Sequence, residues 1–149
     1  MRPSNKWRGL IVECKVKWVD GMAFLAETGS NHTVMMDGAP EAGGRNLAPR
    51  PMELLLAGTG GCTAFDVVLI LKKGRHEVSD CEVTLHAERA ATDPKVFTKI
   101  HFAFKVTGKN LKQAAVERAI ELSKEKYCSA SIMLGKTATI THELEVVEA

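Results

Sequence analysis

The stretch RPMELLLAGTGGCTAFDVVLILKKGR, residues 50–75, has the pattern of a long apolar helix. Pro51 suits a first helical turn, where its missing N–H costs nothing. Lys72 and Lys73 suit the negative end of the dipole, and Gly74 is a helix-ending residue. The segment is apolar nearly all round, which demands burial on most sides. Such a helix is about 30 Å long, more than a domain of this size can enclose, so a second subunit is expected to cover part of it. Yet Gly58, Gly60 and Gly61 sit in its middle, directly before Cys62, although a glycine there costs roughly 1 kcal/mol relative to alanine. Either they open the backbone around the sulfur to a second helix or a small substrate, or they let two helices cross tightly. Both can hold at once.

On the N-terminal side the chain reads as strands. In GLIVECKVKWVD (9–20), Leu10, Val12, Cys14, Val16 and Trp18 form one period-2 row, with Glu13, Lys15 and Lys17 in the other. Asp20-Gly21 predicts a hairpin into MAFLAETG, and a turn at Gly29–Asn31 leads into HTVMMDG. Residues 38–50, GAPEAGGRNLAPR, read as a loop, long enough to be functional or mobile. On the C-terminal side, EVSDCEVTLHAER places Cys81, Val83, Leu85 and Ala87 on one face. KVFTKIHFAFKVTG does the same with Ile100, Phe102, Phe104 and Val106, after a turn at ATDP. NLKQAAVERAIELSKEKYC reads as one amphipathic helix with Asn110 as its N-cap, and TATITHELEVVE as a last strand. The order β-β-β-α-β-β-α-β describes an α+β protein on antiparallel sheet. All 149 residues fit a single domain, with residues 1–8 as an N-terminal extension.

Composition excludes several classes. The chain is 45% hydrophobic and 26% charged with a net charge of +2, too little to suggest nucleic acid or an anionic membrane as partner. No apolar h-region follows MRPSNKWRG, so no secretory signal is read. Glu53, Thr59, Thr63 and Asp66 interrupt the longest apolar run, which argues against a membrane span. A cytoplasmic, reducing location is therefore expected for the four cysteines. Cys14 and Cys81 lie in apolar strand rows and read as small buried hydrophobes. Cys62 and Cys128 stand apart, one after the glycines and one where the chain turns at KYCSAS. If the helix is continuous from Pro51, its dipole does not reach Cys62; if it restarts near Gly61, the thiolate is favoured. Asp66, four residues on, shares the helical face and opposes a thiolate. No Cys-x-x-Cys exists and no histidine is spaced with a cysteine, so no metal site is read. His86 and His101 fall on polar rows and are expected to be solvated; His142 is expected to be a satisfied core histidine. Met22, Met35, Met36 and Met133 read as core filler.

These features together resemble the OsmC/Ohr family, the osmotically inducible and organic hydroperoxide resistance proteins. The resemblance covers nearly the whole chain from about residue 10. It rests on the three-strand start, the Pro-initiated helix with Ala57, Gly58 and Cys62 in an A-G-x-x-x-C pattern, the hairpin, and a second helix ending in a cysteine. VKWVDGMAFL, VMMDG, DCEV and EKYCS are similar to the YhfA-like branch. The resemblance implies an interleaved homodimer with the central helices at its core and no cofactor. It implies a thiol-dependent enzyme that reduces small organic hydroperoxides in oxidative stress defence. Cys62 would be the peroxidatic residue and Cys128 the resolving one, the disulfide being restored by an external dithiol of lipoylated or thioredoxin type. Family members carry Asn-Pro-Glu at the helix start and an arginine that pairs with its glutamate. Here the segment is Arg50-Pro51-Met52, and no Arg or Lys lies between Lys17 and Arg45. Glu53, Asp66 and Met52 are the expected supporting residues, with Arg45, Arg50 or Arg75 as substitute cations. The departure keeps open a second reading, a non-enzymatic redox sensor or small-molecule binding protein of the same fold.

Overall fold

The structure, a computed structural model, describes residues 10–149; the expected extension at 1–8 lies outside them. The class is α+β, and the described residues form two three-stranded sheets and three α-helices. The chain divides into two compact units, one ending at Leu55 and the other running from Leu56 to Ala149.

The first unit holds β1 (Cys14–Asp20), β2 (Ala23–Thr28) and β3 (Thr33–Met36), an antiparallel meander in the order β1-β2-β3. Both hairpins fall where the turn residues require them: Gly21 has φ +54° and Asn31 φ +65°. The expected rows do not bury, however. Every residue of β1 is exposed, and Val12 and Trp18 keep 92% and 64% of their surface. Cys14 is thus exposed rather than a core residue. Period-2 alternation predicts a strand with an apolar face; it does not say whether the same chain covers that face. Met22, Met35 and Met133 are likewise exposed rather than core.

The 38–50 loop is tied down by one side chain. Asp37 is 1% exposed, and its carboxylate accepts hydrogen bonds from the N–H groups of Gly38 (2.7 Å), Arg45 (3.3 Å) and Leu47 (3.2 Å). Its own N–H donates to the Pro49 carbonyl, and a 3₁₀ turn at Pro40–Ala42 fills the interior of the loop. The Gly38 N–H bond, opposed by desolvation and helped by the other two amides, holds the Asp37 carboxyl below its ordinary 3.8.

The helix α1 (Pro51–Lys73) is continuous through all three glycines. Its last turn closes on Gly74, but Arg75 takes the left-handed conformation, with φ +62°. One face buries, at Thr59, Gly60, Thr63, Val67 and Leu71, while Phe65 stays 67% exposed and Leu69 38%. The expected burial on most sides is not met within one chain. The glycines divide in role. A β-carbon on Gly60 would stand 2.6 Å from Leu85 Cδ1, so Gly60 admits close packing of α1 on β4 (Glu77–Arg89). At Gly58 and Gly61 it would meet open space.

The second sheet has the order β4-β5-β6, with β5 (Phe97–Lys109) central and β6 (Thr139–Glu148) at one edge. β4 and β5 pair antiparallel as expected, but β6 runs parallel to β5. The crossover through the second helical region returns the chain to the same end of the sheet, which alternation alone cannot reveal. Ile100, Phe102, Phe104 and Val106 of β5 are buried with Val116, Ala119 and Ile120 of α2 (Gln113–Leu122). The α2 N-cap is Lys112, not Asn110, whose φ of +52° and N–H bonds to Glu148 end the preceding strand. His142 is a partnered core histidine, 2.6 Å from Glu117 Oε1. His101 is half-buried against Thr141 Oγ1 at 2.7 Å rather than solvated.

The Asp37 geometry sets an acid limit on the loop. With the folded pKa below 3.8, the ionised carboxylate's contribution is complete above that pH and is lost as pH falls through the lower folded value. Amide exchange at Gly38, Arg45 and Leu47 should accelerate over that window in the wild type. In Asp37→Asn it should be fast already at neutral pH and show no such acid step.

Candidate thiol site

The site forms in the second unit, between α1 and the segment after α2. Cys62 is the twelfth residue of α1, so the continuous-helix case holds and the dipole does not reach it. The expected second helix is not one helix. It ends at Leu122, continues as a π turn over Ser123–Tyr127, and restarts after Cys128 as the short α3 (Ser129–Leu134). The turn closes with the Cys128 N–H donating to the Ser123 carbonyl at 2.8 Å. The wider turn carries one extra residue, and π-bulges of this kind often accompany functional sites. Its result is that Cys128 adopts extended backbone and becomes the N-cap of α3.

Cys128 is fully buried and Cys62 half-buried. Their sulfurs and a carboxylate oxygen of Asp66 all lie within 4.8 Å of one another. Around Cys128 the polar groups converge: the Ser131 N–H donates to its Sγ at 3.4 Å, and Thr63 Oγ1 stands 3.2 Å from it. Asp66 is fixed by Ser123, whose buried hydroxyl donates to Oδ2 at 2.8 Å. Thus Cys62, Thr63 and Asp66, all from one turn of α1, meet Ser123, Cys128 and Ser131 from the interrupted helix.

Burial pushes the Cys62 thiol above its ordinary value; its hydrogen bond to Cys128 and the nearby charges of Cys128 and Asp66 add to this, against one N–H from Ala130. Burial also works against a Cys128 thiolate. There the hydrogen bonds from the Ser131 side chain, Thr63, the Ser131 N–H and Cys62 outweigh it, and the pKa falls below the ordinary thiol value. Of the two sulfurs Cys128 is therefore the one that gives up its proton more readily, and Cys62 the one that holds it more tightly.

Of the expected supporting residues, Asp66 joins the pair. Glu53 does something else: its Oε2 accepts from the Arg50 N–H at 2.9 Å, capping the start of α1. Along one continuous helix Met52 and Glu53 lie about 13–15 Å in axial rise from Cys62, so neither lines the sulfurs of its own chain. The guanidinium of Arg45 pairs with Asp20 at 3.3 Å, and Arg75 ends α1. Buried Arg50 Nε has no hydrogen-bond partner. Thr63, Ser123 and Ser131 also belong to the site. Their one signal was position, next to Cys62 and on both sides of Cys128.

A family model described as OsmC-like protein matches residues 43–143. The chain belongs to the OsmC-like family. Protein YhfA of Escherichia coli (strain K12) is 52% identical over 138 residues, which span 93% of this chain and 100% of that protein. A solved structure from structural genomics is 51% identical with a TM-score of 0.84, covering 92% of this chain and 99% of the other. A hypothetical protein from Aquifex aeolicus VF5 is 30% identical with a TM-score of 0.76, over 91% and 97% of the two chains. An organic hydroperoxide resistance protein from Legionella pneumophila shares the fold at a TM-score of 0.68 and 19% identity, over 91% and 96%. By length and composition alone α1 could cross a membrane, with a mean hydropathy of 1.9. In this structure the same segment lays one face, at Gly60, against β4.

The Thr63 contact has a measurable consequence. Thr63→Val removes a hydroxyl beside Cys128 without changing volume much, so the ultraviolet absorbance of the thiolate should appear at higher pH than in the wild type. An unchanged titration would mean that Thr63 does not stabilise the charged sulfur.

Proposed function

We propose that this OsmC-like protein is a thiol peroxidase that reduces organic hydroperoxides through Cys62 and Cys128. The observation that carries the reading is the proximity of the two sulfurs, one half-buried and one fully buried, in a chain whose cysteines are all free. The name of the Legionella pneumophila fold relative supports the substrate class. Cys62 has the solvent access a substrate needs, and its proton already faces an acceptor, the Cys128 sulfur. Transfer of that proton leaves a Cys62 thiolate. The thiolate attacks the distal peroxide oxygen and breaks the O–O bond; the alkoxide leaves and takes the transferred proton from Cys128, becoming the alcohol. Cys62 is now a sulfenic acid. The Cys128 sulfur attacks it, expels hydroxide as water, and closes the disulfide. Overall two thiols and one hydroperoxide give one disulfide, one alcohol and one water. An external dithiol of lipoylated or thioredoxin type then restores the pair, in a reducing cytoplasm.

The working form in this reading is a homodimer. Its support is the apolar surface each unit leaves open: Val16, Trp18 and Val19 of β1 in the first, and Phe65 with Leu69 on α1 in the second. A groove of about 400 Å³ lined by Gly61, Ala64, Phe65, Val68, Leu69 and Cys81, with Lys72 also in its wall, continues the second surface. A second copy laid on α1 explains why Gly58 and Gly61 face open space and why the helix is apolar nearly all round. Phe65→Glu should raise the dimer dissociation constant by roughly 30-fold or more, as loss of a central apolar anchor does, measured by sedimentation equilibrium. A wild type that sediments as a monomer contradicts the dimer.

The enzyme assay is consumption of cumene hydroperoxide with a dithiol reductant. Wild type should turn over, Cys62→Ser should not, and Cys128→Ser should accumulate a sulfenic acid on Cys62 that dimedone captures. Stoichiometric oxidation of both cysteines without turnover would instead favour the redox-sensor reading. The opposing charge of Asp66 near Cys62 is the feature on its side.

A further inference from the structure

The thiol site has the composition of a metal centre as well as that of a redox pair. Two sulfurs and a carboxylate converge within 4.8 Å, and each of the three is an anion once deprotonated. Three potential anions meeting in a half-buried site are stabilised most directly by a cation between them. We propose that the reduced site binds one soft divalent cation of the zinc class through Cys62 Sγ, Cys128 Sγ and an Asp66 carboxylate oxygen, with the fourth position open to solvent.

The geometry suits that ion. Tetrahedral zinc holds sulfur at about 2.3 Å and carboxylate oxygen at about 2.0–2.2 Å, which sets neighbouring donors roughly 3.5–3.8 Å apart. Donors already within 4.8 Å reach this separation by side-chain adjustment. Two thiolates select a soft cation over magnesium or calcium, which prefer all-oxygen shells. The supporting contacts are also in place. The Ser123 hydroxyl orients Asp66 at 2.8 Å, and the Ser131 N–H and Thr63 Oγ1 stand at 3.4 and 3.2 Å from Cys128 Sγ. Such partners fix ligand orientation in metal sites. Access is supplied by Cys62 and Asp66, both half-buried, while Cys128 is sealed in. Sequence spacing hid the set, since Cys62 and Asp66 form an i, i+4 pair on α1 and the third ligand waits at the end of the π turn.

The ion and the disulfide exclude each other, because both use the same two sulfurs. A metal-loaded pair is protected from hydroperoxide, and oxidation to the disulfide releases the ion. The inference goes beyond the peroxidase reading and does not depend on it.

The test is titration of the reduced, full-length protein with Co²⁺, followed by sulfur-to-cobalt charge-transfer absorption, and with Zn²⁺ by native mass spectrometry. One equivalent per chain is expected, displaced by Zn²⁺ and released when diamide forms the disulfide. Asp66→Asn should lose the charge-transfer complex or weaken it by at least the 10- to 100-fold typical of a supporting contact, and Ser123→Ala by about that amount. Cys14→Ser/Cys81→Ser should bind as the wild type does. Circular dichroism of each variant separates lost binding from lost folding, and Asp66→Asn, nearly isosteric, keeps the test decisive if Cys128→Ser does not fold. The proposal is overturned if reduced wild type gives no charge-transfer band at one equivalent. It is also overturned if folded Cys62→Ser or Asp66→Asn binds undiminished, or if the band needs Cys14 or Cys81. Hydroperoxide consumption by metal-free protein is read separately, so either reading can fail alone.

Discussion

The site depends on one constraint, the interruption of the second helix at Ser123. Were the chain from Gln113 to Cys128 a regular α-helix, the Cys128 N–H would bond four residues back. Instead it reaches the Ser123 carbonyl, five back. The extra residue frees Cys128 to become the cap of a new helix and to collect an N–H from Ser131. The same turn presents the Ser123 hydroxyl to Asp66. One irregular turn therefore positions three of the six polar groups at the site, and the unbroken helix α1 supplies the other three.

The continuity of α1 matters for the same reason. A break at the glycines would have given Cys62 a helix N-terminus and a depressed pKa. The unbroken helix gives it neither, and the sulfur favoured as thiolate is Cys128, by hydrogen bonds rather than by a cation. This is a different electrostatic arrangement from a glutamate–arginine pair beside the first cysteine. It is consistent with the departures at Arg50-Pro51-Met52, and with Glu53 being committed to the helix cap.

Much of the fold was legible because its signals are local. Pro51 and the apolar run set the start of α1, the Asp20-Gly21 and Gly29–Asn31 turns placed β2 and β3, and alternation located β1, β4, β5 and β6. What escaped was non-local. The parallel pairing of β6 has the same period as an antiparallel one, and the exposure of Cys14 depends on what covers β1 rather than on its own pattern. The π turn within SKEKY carries no propensity signature that separates it from α-helix. Asp37, the residue that organises the 38–50 loop, stands in the sequence near the end of the run HTVMMDG, with nothing to mark it. Its role depends on amides up to ten residues away.

The claim beneath both functional readings is that Cys62 and Cys128 face one another and form a single chemical unit. Peptide mapping under non-reducing conditions, after one equivalent of cumene hydroperoxide, addresses it most directly. The account predicts one cross-linked peptide pair joining Cys62 to Cys128 within a chain, with Cys14 and Cys81 still alkylatable. Recovery of Cys62 linked to any other cysteine, or of all four thiols unchanged, would contradict it.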